Sequence, residues 1–199
     1  MVIPVAHDFS CPWCWIALFQ VKQLKEEFGV EIEWLPYELY PEGLEYKSST
    51  PVEEPPNKPP VPTRLQLAYA AQGMERPTKK RPWPMRTHRI HEAVEFAKTE
   101  NPRPDDFVEV IYRAYYEDAA DIDDIEVITE LAKPFVKDID GMLLAIQQKR
   151  FAAKIIGFDQ PSYDSGVYNV PTFYIGGERY AEQPYIVLQN AMKALGVHA

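Results

Sequence analysis

The sequence predicts an α/β fold in which strand, helix, strand opens the chain, strand, strand, helix closes it, and a large all-helical insertion lies between. Three observations predict it. The first 35 residues change period twice. The apolar run Val2-Ile3-Pro4-Val5-Ala6 reads as a buried strand, and Trp15, Leu18, Phe19, Leu24 and Phe28 then recur at helical steps. Val30 to Leu35 alternates apolar and polar with period two. Strand character returns only at Val170-Pro171-Thr172-Phe173-Tyr174-Ile175, followed by the turn signal Gly176-Gly177 and a second strand beginning Glu178-Arg179-Tyr180. From Thr63 to about Gly157 the pattern is helical throughout.

Each element has a local reason. Gly29 is placed to end the first helix, and Pro36 to end the second strand. A strand–helix–strand unit of this length implies parallel strands and a right-handed crossover. Six prolines between Pro51 and Pro62 exclude helix and central strand, so this stretch reads as a stiff, extended connector rather than a docking motif. Thr63-Arg64-Leu65-Gln66 and Asp123-Asp124-Ile125-Glu126 fit a capping box, with Thr63 and Asp123 as the caps. Leu65, Leu67, Ala68 and Ala71 form one expected helix face, ending at Gly73. Thr87 is the expected cap of a helix carrying Ile90, Ala93, Val94 and Ala97 inward, and Phe107, Val110, Ile111, Ala114 and Tyr115 stripe the next. Two more helices are expected over Ile125–Phe135 and Met142–Ile156. Pro184 opens the last one at its N1 position, with Ile186, Val187, Ala191, Met192 and Leu195 toward the core. The expected organisation is a discontinuous domain of residues 1–40 and 162–199, interrupted by an inserted connector and helical domain over 41–161.

Composition bounds the function. The chain has 199 residues, of which 46% are hydrophobic, a sequence sufficient for an ordinary core. A mean hydropathy of −0.35 and the lack of a long apolar run predict no membrane span. A net charge of −9 argues against nucleic acid as a partner. Met1-Val2-Ile3-Pro4 offers no signal-peptide pattern, so the cytoplasm is the expected compartment.

The stretch with chemistry is Asp8-Phe9-Ser10-Cys11-Pro12-Trp13-Cys14-Trp15, where a strand hands over to a helix. Cys11 falls at or near the helix N-cap, where orphan N–H groups and the macrodipole favour a thiolate over a thiol. Cys14, one turn on, is within reach to close a disulfide. A purely structural disulfide would constrain only four residues and so contribute little. A zinc site needs about four ligands. Two cysteines and four histidines, with His88 and His91 three residues apart, match no such spacing, so no metal is expected.

These features together resemble the DsbA superfamily, most closely its FrnE-like branch, which also includes the 2-hydroxychromene-2-carboxylate isomerases. The likeness rests on Cys11-Pro12-Trp13-Cys14 after the first strand and Val170-Pro171-Thr172 before the hairpin. Thr87-His88-Arg89 with Ala93, and Tyr115-Tyr116-Glu117-Asp118-Ala119-Ala120-Asp121-Ile122, extend it into the insert. It implies a thioredoxin fold and a dithiol–disulfide oxidoreductase with thiol- or disulfide-containing protein substrates and no bound cofactor. It also implies that Cys11 is an exposed nucleophile, Cys14 a buried resolving thiol and Pro171 a cis-proline beside them. Pro12, Trp13, Val170 and Thr172 would contact substrate. Isomerase and kappa-class glutathione transferase relatives typically carry serine where this chain has Cys11, and bind glutathione. A glutathione-dependent isomerase or transferase is therefore the competing enzyme reading, with glutathione as redox partner or cosubstrate. A non-catalytic adaptor is the alternative from another class.

Around the dithiol, Trp13, Trp15, Tyr37, Tyr40, Trp83 and Met85 could supply an apolar surround, with only Trp13 expected at the surface. Arg76, Lys79, Lys80, Arg81, Arg86 and Arg89 form a basic cluster that could hold an anion or simply cover a loop. Asp8 reads equally as a proton acceptor for Cys14 and as a cap for the loop amides. His7 is expected on the far side of the sheet, and the acidic run from Asp118 to Asp124 as loop and helix cap.

Overall fold

The computed structural model describes residues 1–44, 62–158 and 169–197. Strand β1 (Val2–His7) leads into α1 (Pro12–Phe28) and β2 (Glu31–Glu38). The insert contributes α2 (Arg64–Ala71), α3 (His88–Glu100), α4 (Asp105–Tyr116), α5 (Ile125–Ala132) and α6 (Ile139–Gln147). Then follow β3 (Ile156–Gly157), β4 (Thr172–Ile175), β5 (Glu178–Ala181) and α7 (Tyr185–Ala194). The sheet order is β3-β2-β1-β4-β5. As the crossover requires, β1 and β2 are parallel, in register from Val2 opposite Glu31 to His7 opposite Pro36. On the other side of β1, β4 is antiparallel, with Val5 opposite Phe173 and Ala6 opposite Thr172. The hairpin turns on Gly176 and Gly177 at φ of 61° and 86°, a left-handed pair that favours glycine. The proline-rich stretch lies outside the described residues, apart from Pro62.

Strand β1 is central, so Ile3, Val5 and Ala6 are buried on both faces of the sheet, against Ile32, Trp34 and Phe173 of its neighbours. His7 points at α3 and α4. Its ring packs against Trp34, His91 and Tyr112, and its Nδ1 pairs with the Tyr112 hydroxyl at 2.9 Å.

Several local expectations are corrected. Strand β2 runs through Pro36 to Glu38, because β3 reaches only Tyr37 and Glu38 and the proline is not asked to donate there. The α5 cap is Asp124, whose carboxylate accepts the amides of Glu126 and Val127. This helix stops at Ala132; Lys133 keeps helical backbone (φ −46°, ψ −40°), and Pro134 after it has no N–H with which to continue the ladder. Helix α6 ends at Gln147, and the rest of the expected helix is one 3₁₀ turn over Ala152–Lys154 followed by β3. Long-range partners hold that segment. The Glu92 carboxylate accepts the Phe151 amide, and Phe158 N–H donates to the Glu38 carbonyl. On α2 the buried residue is Tyr69, while Leu67 is 55% exposed. On α7, Leu188 and Met192 face the core, Ile186 and Leu195 do not, and Pro184 is the N-cap.

Candidate active site

Cys11 is the N-cap of α1, with extended backbone (φ −77°, ψ 118°) and Pro12 at the first helical position. Proline suits that position because its fixed φ is helical and no N–H is needed there. The Cys11 carbonyl accepts the amides of Cys14 and Trp15 at 3.0 and 3.1 Å, which winds the second thiol back beneath the first. Both cysteines are free thiols. Cys14 is fully buried and receives the Asp8 N–H at 3.5 Å. Burial pushes its thiol well above the ordinary cysteine range, and the hydrogen bond with Cys11 and the Cys11 charge push the same way. Cys14 therefore holds its proton more tightly than an ordinary cysteine.

The Val170–Pro171 peptide bond is cis, as the resemblance implied. The Cys11 thiol donates to the Val170 carbonyl at 3.7 Å, joining the two ends of the chain at that sulfur. Thr172 departs from the expectation. It is fully buried and its hydroxyl donates to the Asn169 carbonyl at 2.6 Å, so it fixes the turn before β4 instead of meeting a substrate. Cys11 departs too, being only 4% exposed. Leu65 and Tyr69 of α2, with Pro77, Pro82 and Trp83 of the following segment, stand over it and enclose a cavity of about 630 Å³ that Ser10, Cys11 and Pro12 help to line. The insert converts an open helix end into a pocket.

Beneath the thiols, Asp8 organises the loop. Its carboxylate accepts Ser10 N–H (2.6 Å), Ser10 Oγ (2.7 Å), Leu39 N–H (2.6 Å) and Thr87 Oγ1 (3.1 Å). Burial raises its pKa from 3.8 to about 6 against the opposing pull of those donors. The carboxylate thus takes the loop-holding role, while its backbone N–H serves Cys14. Thr87 precedes α3 but makes no side-chain cap, because its hydroxyl is spent on Asp8. From α4, Tyr112 and Tyr116 donate to the carbonyls of Asp8 (3.2 Å) and Ser10 (2.9 Å). Trp15 stacks on Tyr116 at 5.1 Å and 6°. The sequence assigns no site role to Tyr69 or Tyr112 and reads Thr87 as a helix cap within the Thr87-His88-Arg89 motif; the i, i+4 spacing of Tyr112 and Tyr116 places those two on a shared face.

The wider surroundings divide in two. On one side Trp13, half-buried under the Arg64 guanidinium (4.8 Å), and Pro171 line a groove of about 550 Å³ with Ile16, Leu67, Tyr185 and Ile186. On the other, the Cys11 cavity is walled by Arg76, Lys79, Lys80 and Arg81 together with Tyr40 and Trp83. Arg86 and Arg89 are separate from this wall. Arg86 holds the Tyr40 and Pro41 carbonyls, and Arg89 donates to the Asp123 carbonyl. Trp15 and Met85 are core. Among the described residues no group of histidine, cysteine and carboxylate side chains could hold a metal, and no helix is long and apolar enough to cross a membrane.

Comparison with known proteins agrees with this fold. The Bacillus subtilis (strain 168) protein YwbO, uncharacterized, is 26% identical over 176 residues, covering 87% of this chain and 86% of its own. The crystal structure of a probable DsbA oxidoreductase, SCO1869 from Streptomyces coelicolor, superposes with a TM-score of 0.68 at 20% identity, over 100% of this chain and 92% of that one. The cytosolic disulfide reductase DsbM from Pseudomonas aeruginosa, solved also with GSH, gives 0.62 at 14% identity, over 98% and 100%. At these identities the two structures show a shared fold. A family model described as the DSBA-like thioredoxin domain matches residues 2–193, and the chain belongs to that family.

Proposed function

We propose that this protein is a dithiol–disulfide oxidoreductase working through Cys11 and Cys14. The observation that carries the reading is the pairing of the two thiols: Cys11 at the start of α1 and the floor of a cavity, Cys14 one turn deeper with its proton held by burial. In this reading Cys11 attacks a substrate disulfide as the thiolate and forms a mixed disulfide with release of one substrate thiol. Cys14 then loses its proton and attacks the Cys11 sulfur, releasing the second thiol and leaving a Cys11–Cys14 disulfide. Oxidation of a substrate dithiol is the same sequence reversed. Pro12, Trp13 and Pro171 line the grooves beside the sulfur and would meet the substrate. Glutathione is the proposed redox partner and the cytoplasm the proposed compartment, supported by the DsbM likeness and by a dithiol suited to a reducing environment.

The test is equilibration of the protein in glutathione redox buffers, with thiol trapping and mass analysis. A reversible intramolecular disulfide is expected, Cys14→Ser should accumulate a mixed disulfide on Cys11, and Cys11→Ser should be inert. An enzyme that binds reduced glutathione, forms no intramolecular disulfide and keeps its turnover in Cys14→Ala would instead be the isomerase or transferase.

A further inference from the structure

The Cys11 cavity carries a wall that dithiol chemistry alone does not require. The segment between α2 and α3 places Arg76, Lys79, Lys80 and Arg81 on it, in a chain whose net charge is −9. Lys79 pairs with Asp118 at 3.1 Å. Arg76, Lys80 and Arg81 have no carboxylate partner among the described residues. Arg81 is nevertheless fixed in place, its guanidinium 4.3 Å from the ring centroid of Tyr116 and 5.3 Å from that of Tyr115. Such stacking leaves the edge N–H groups of a guanidinium able to bind a carboxylate.

A second observation points into the same space. Tyr69, on α2, is only 3% exposed and lines the cavity, yet its hydroxyl has no hydrogen-bond partner among the described residues. The charges it senses are those of Arg81, Arg76 and Cys11. The hydroxyl is open to the cavity and is not sealed in the core. It faces a space of about 630 Å³, within the size range of small-molecule pockets.

We propose that this wall makes the Cys11 cavity selective for small disulfides and thiols bearing carboxylates, with Arg76, Lys80 and Arg81 taking the carboxylates and the Tyr69 hydroxyl hydrogen-bonding the ligand beside the reacting sulfur. This rests on the dithiol–disulfide reading above. In the reductive direction Cys11 attacks one sulfur of the bound disulfide, the S–S bond breaks, and one carboxylate-bearing thiolate leaves and takes a proton from water. Cys14 gives its proton to water and displaces the second thiolate from Cys11. The protein dithiol is oxidised by two electrons, and the small disulfide is reduced to two thiols. Cationic residues at the mouth would concentrate the anion and orient it without touching sulfur. Burial raises the Tyr69 pKa to about 12, which keeps that hydroxyl a donor across the working range.

The experiment compares three disulfides of different charge on the fully reduced protein: 5,5′-dithiobis(2-nitrobenzoate), a dianion; hydroxyethyl disulfide, neutral; and cystamine, a dication. The readout is the ratio of wild-type to variant oxidation rate for each probe. For the combined variant Arg76→Gln, Lys80→Gln and Arg81→Gln, that ratio should be about tenfold larger for the dianion than for the neutral probe, and below one for cystamine. Raising the salt to 0.5 M should shrink the difference, since these cations are partly exposed. Arg81→Lys should recover part of the dianion rate, and Lys133→Gln, distant on the end of α5, should leave the probe ratios unchanged. Tyr69→Phe should slow the dianion by about threefold, the scale of one lost hydrogen bond. Equal ratios for all three probes in a folded triple variant would overturn charge selection while leaving thiol exchange standing. An unchanged dianion rate in Tyr69→Phe would overturn the role of that hydroxyl. Failure of every probe to oxidise Cys11 and Cys14 would remove the oxidoreductase reading itself, and this proposal with it.

Discussion

Asp8 allows a prediction whose sign runs against ordinary acid denaturation. The carboxylate is fully buried, and its four hydrogen-bond donors are neutral groups from Ser10, Leu39 and Thr87. Burial lifts its folded pKa from 3.8 to about 6. A carboxyl whose folded pKa lies above its unfolded value binds its proton more tightly when folded. Between about pH 4 and 6 the native state therefore carries the extra proton, and this group contributes stability as pH falls through 6. Two units correspond to roughly 3 kcal/mol in the low-pH limit. At pH 5, one unit below the folded value, the gain over pH 7.5 is roughly 1 kcal/mol. Asp8→Asn has no such titration. Its lost acceptor oxygen also leaves one or two buried donors unpaired, at about 1–3 kcal/mol each. Urea unfolding of the reduced wild type and of Asp8→Asn, measured every half unit from pH 5 to 7.5, isolates the term. The wild type should gain roughly 1 kcal/mol on the variant as pH falls across that range, most of it below pH 6. A difference that is flat with pH, or that moves in the variant's favour, would refute the assignment of a buried, uncompensated carboxylate.

Other expectations follow from the same contacts. Tyr116→Phe keeps the ring on Trp15 but strips the Ser10 carbonyl of its donor, and should cost about 1–2 kcal/mol in urea unfolding. Thr87→Val should be strongly non-additive with Asp8→Asn in a double-mutant cycle, because the pair shares one hydrogen bond; additive losses would show that Thr87 acts as an ordinary helix residue. On α7, Leu188→Ala should cost about 2–4 kcal/mol whereas Ile186→Ala should cost under about 0.5, reversing the ranking that the periodicity of that helix suggests.

The sequence by itself determined the order of the elements other than β3, the parallel pairing of β1 with β2, the hairpin and the position of the dithiol at a helix start. Each of these follows from local rules: the period of apolar residues, the backbone freedom of Gly29, Gly176 and Gly177, and the fixed φ of Pro12. The capping box at Thr63 was legible for the same reason, since all its atoms lie within four residues. What local rules cannot express, only the tertiary structure decided. Thr87 turns from its own helix to Asp8, because a partner 79 residues away competes for its hydroxyl. The two-residue β3 has no period to read and exists because β2 pairs with it, after Glu92 has fixed Phe151 ahead of it. Cys11 loses its exposure for a similar reason. A helix N-terminus is solvent-facing until something covers it, and α2 with the basic segment after it does so from far along the chain. Spacing in sequence could place the thiols; whether the cations at 76–81 would stand over them or elsewhere depended on how the insert folds back.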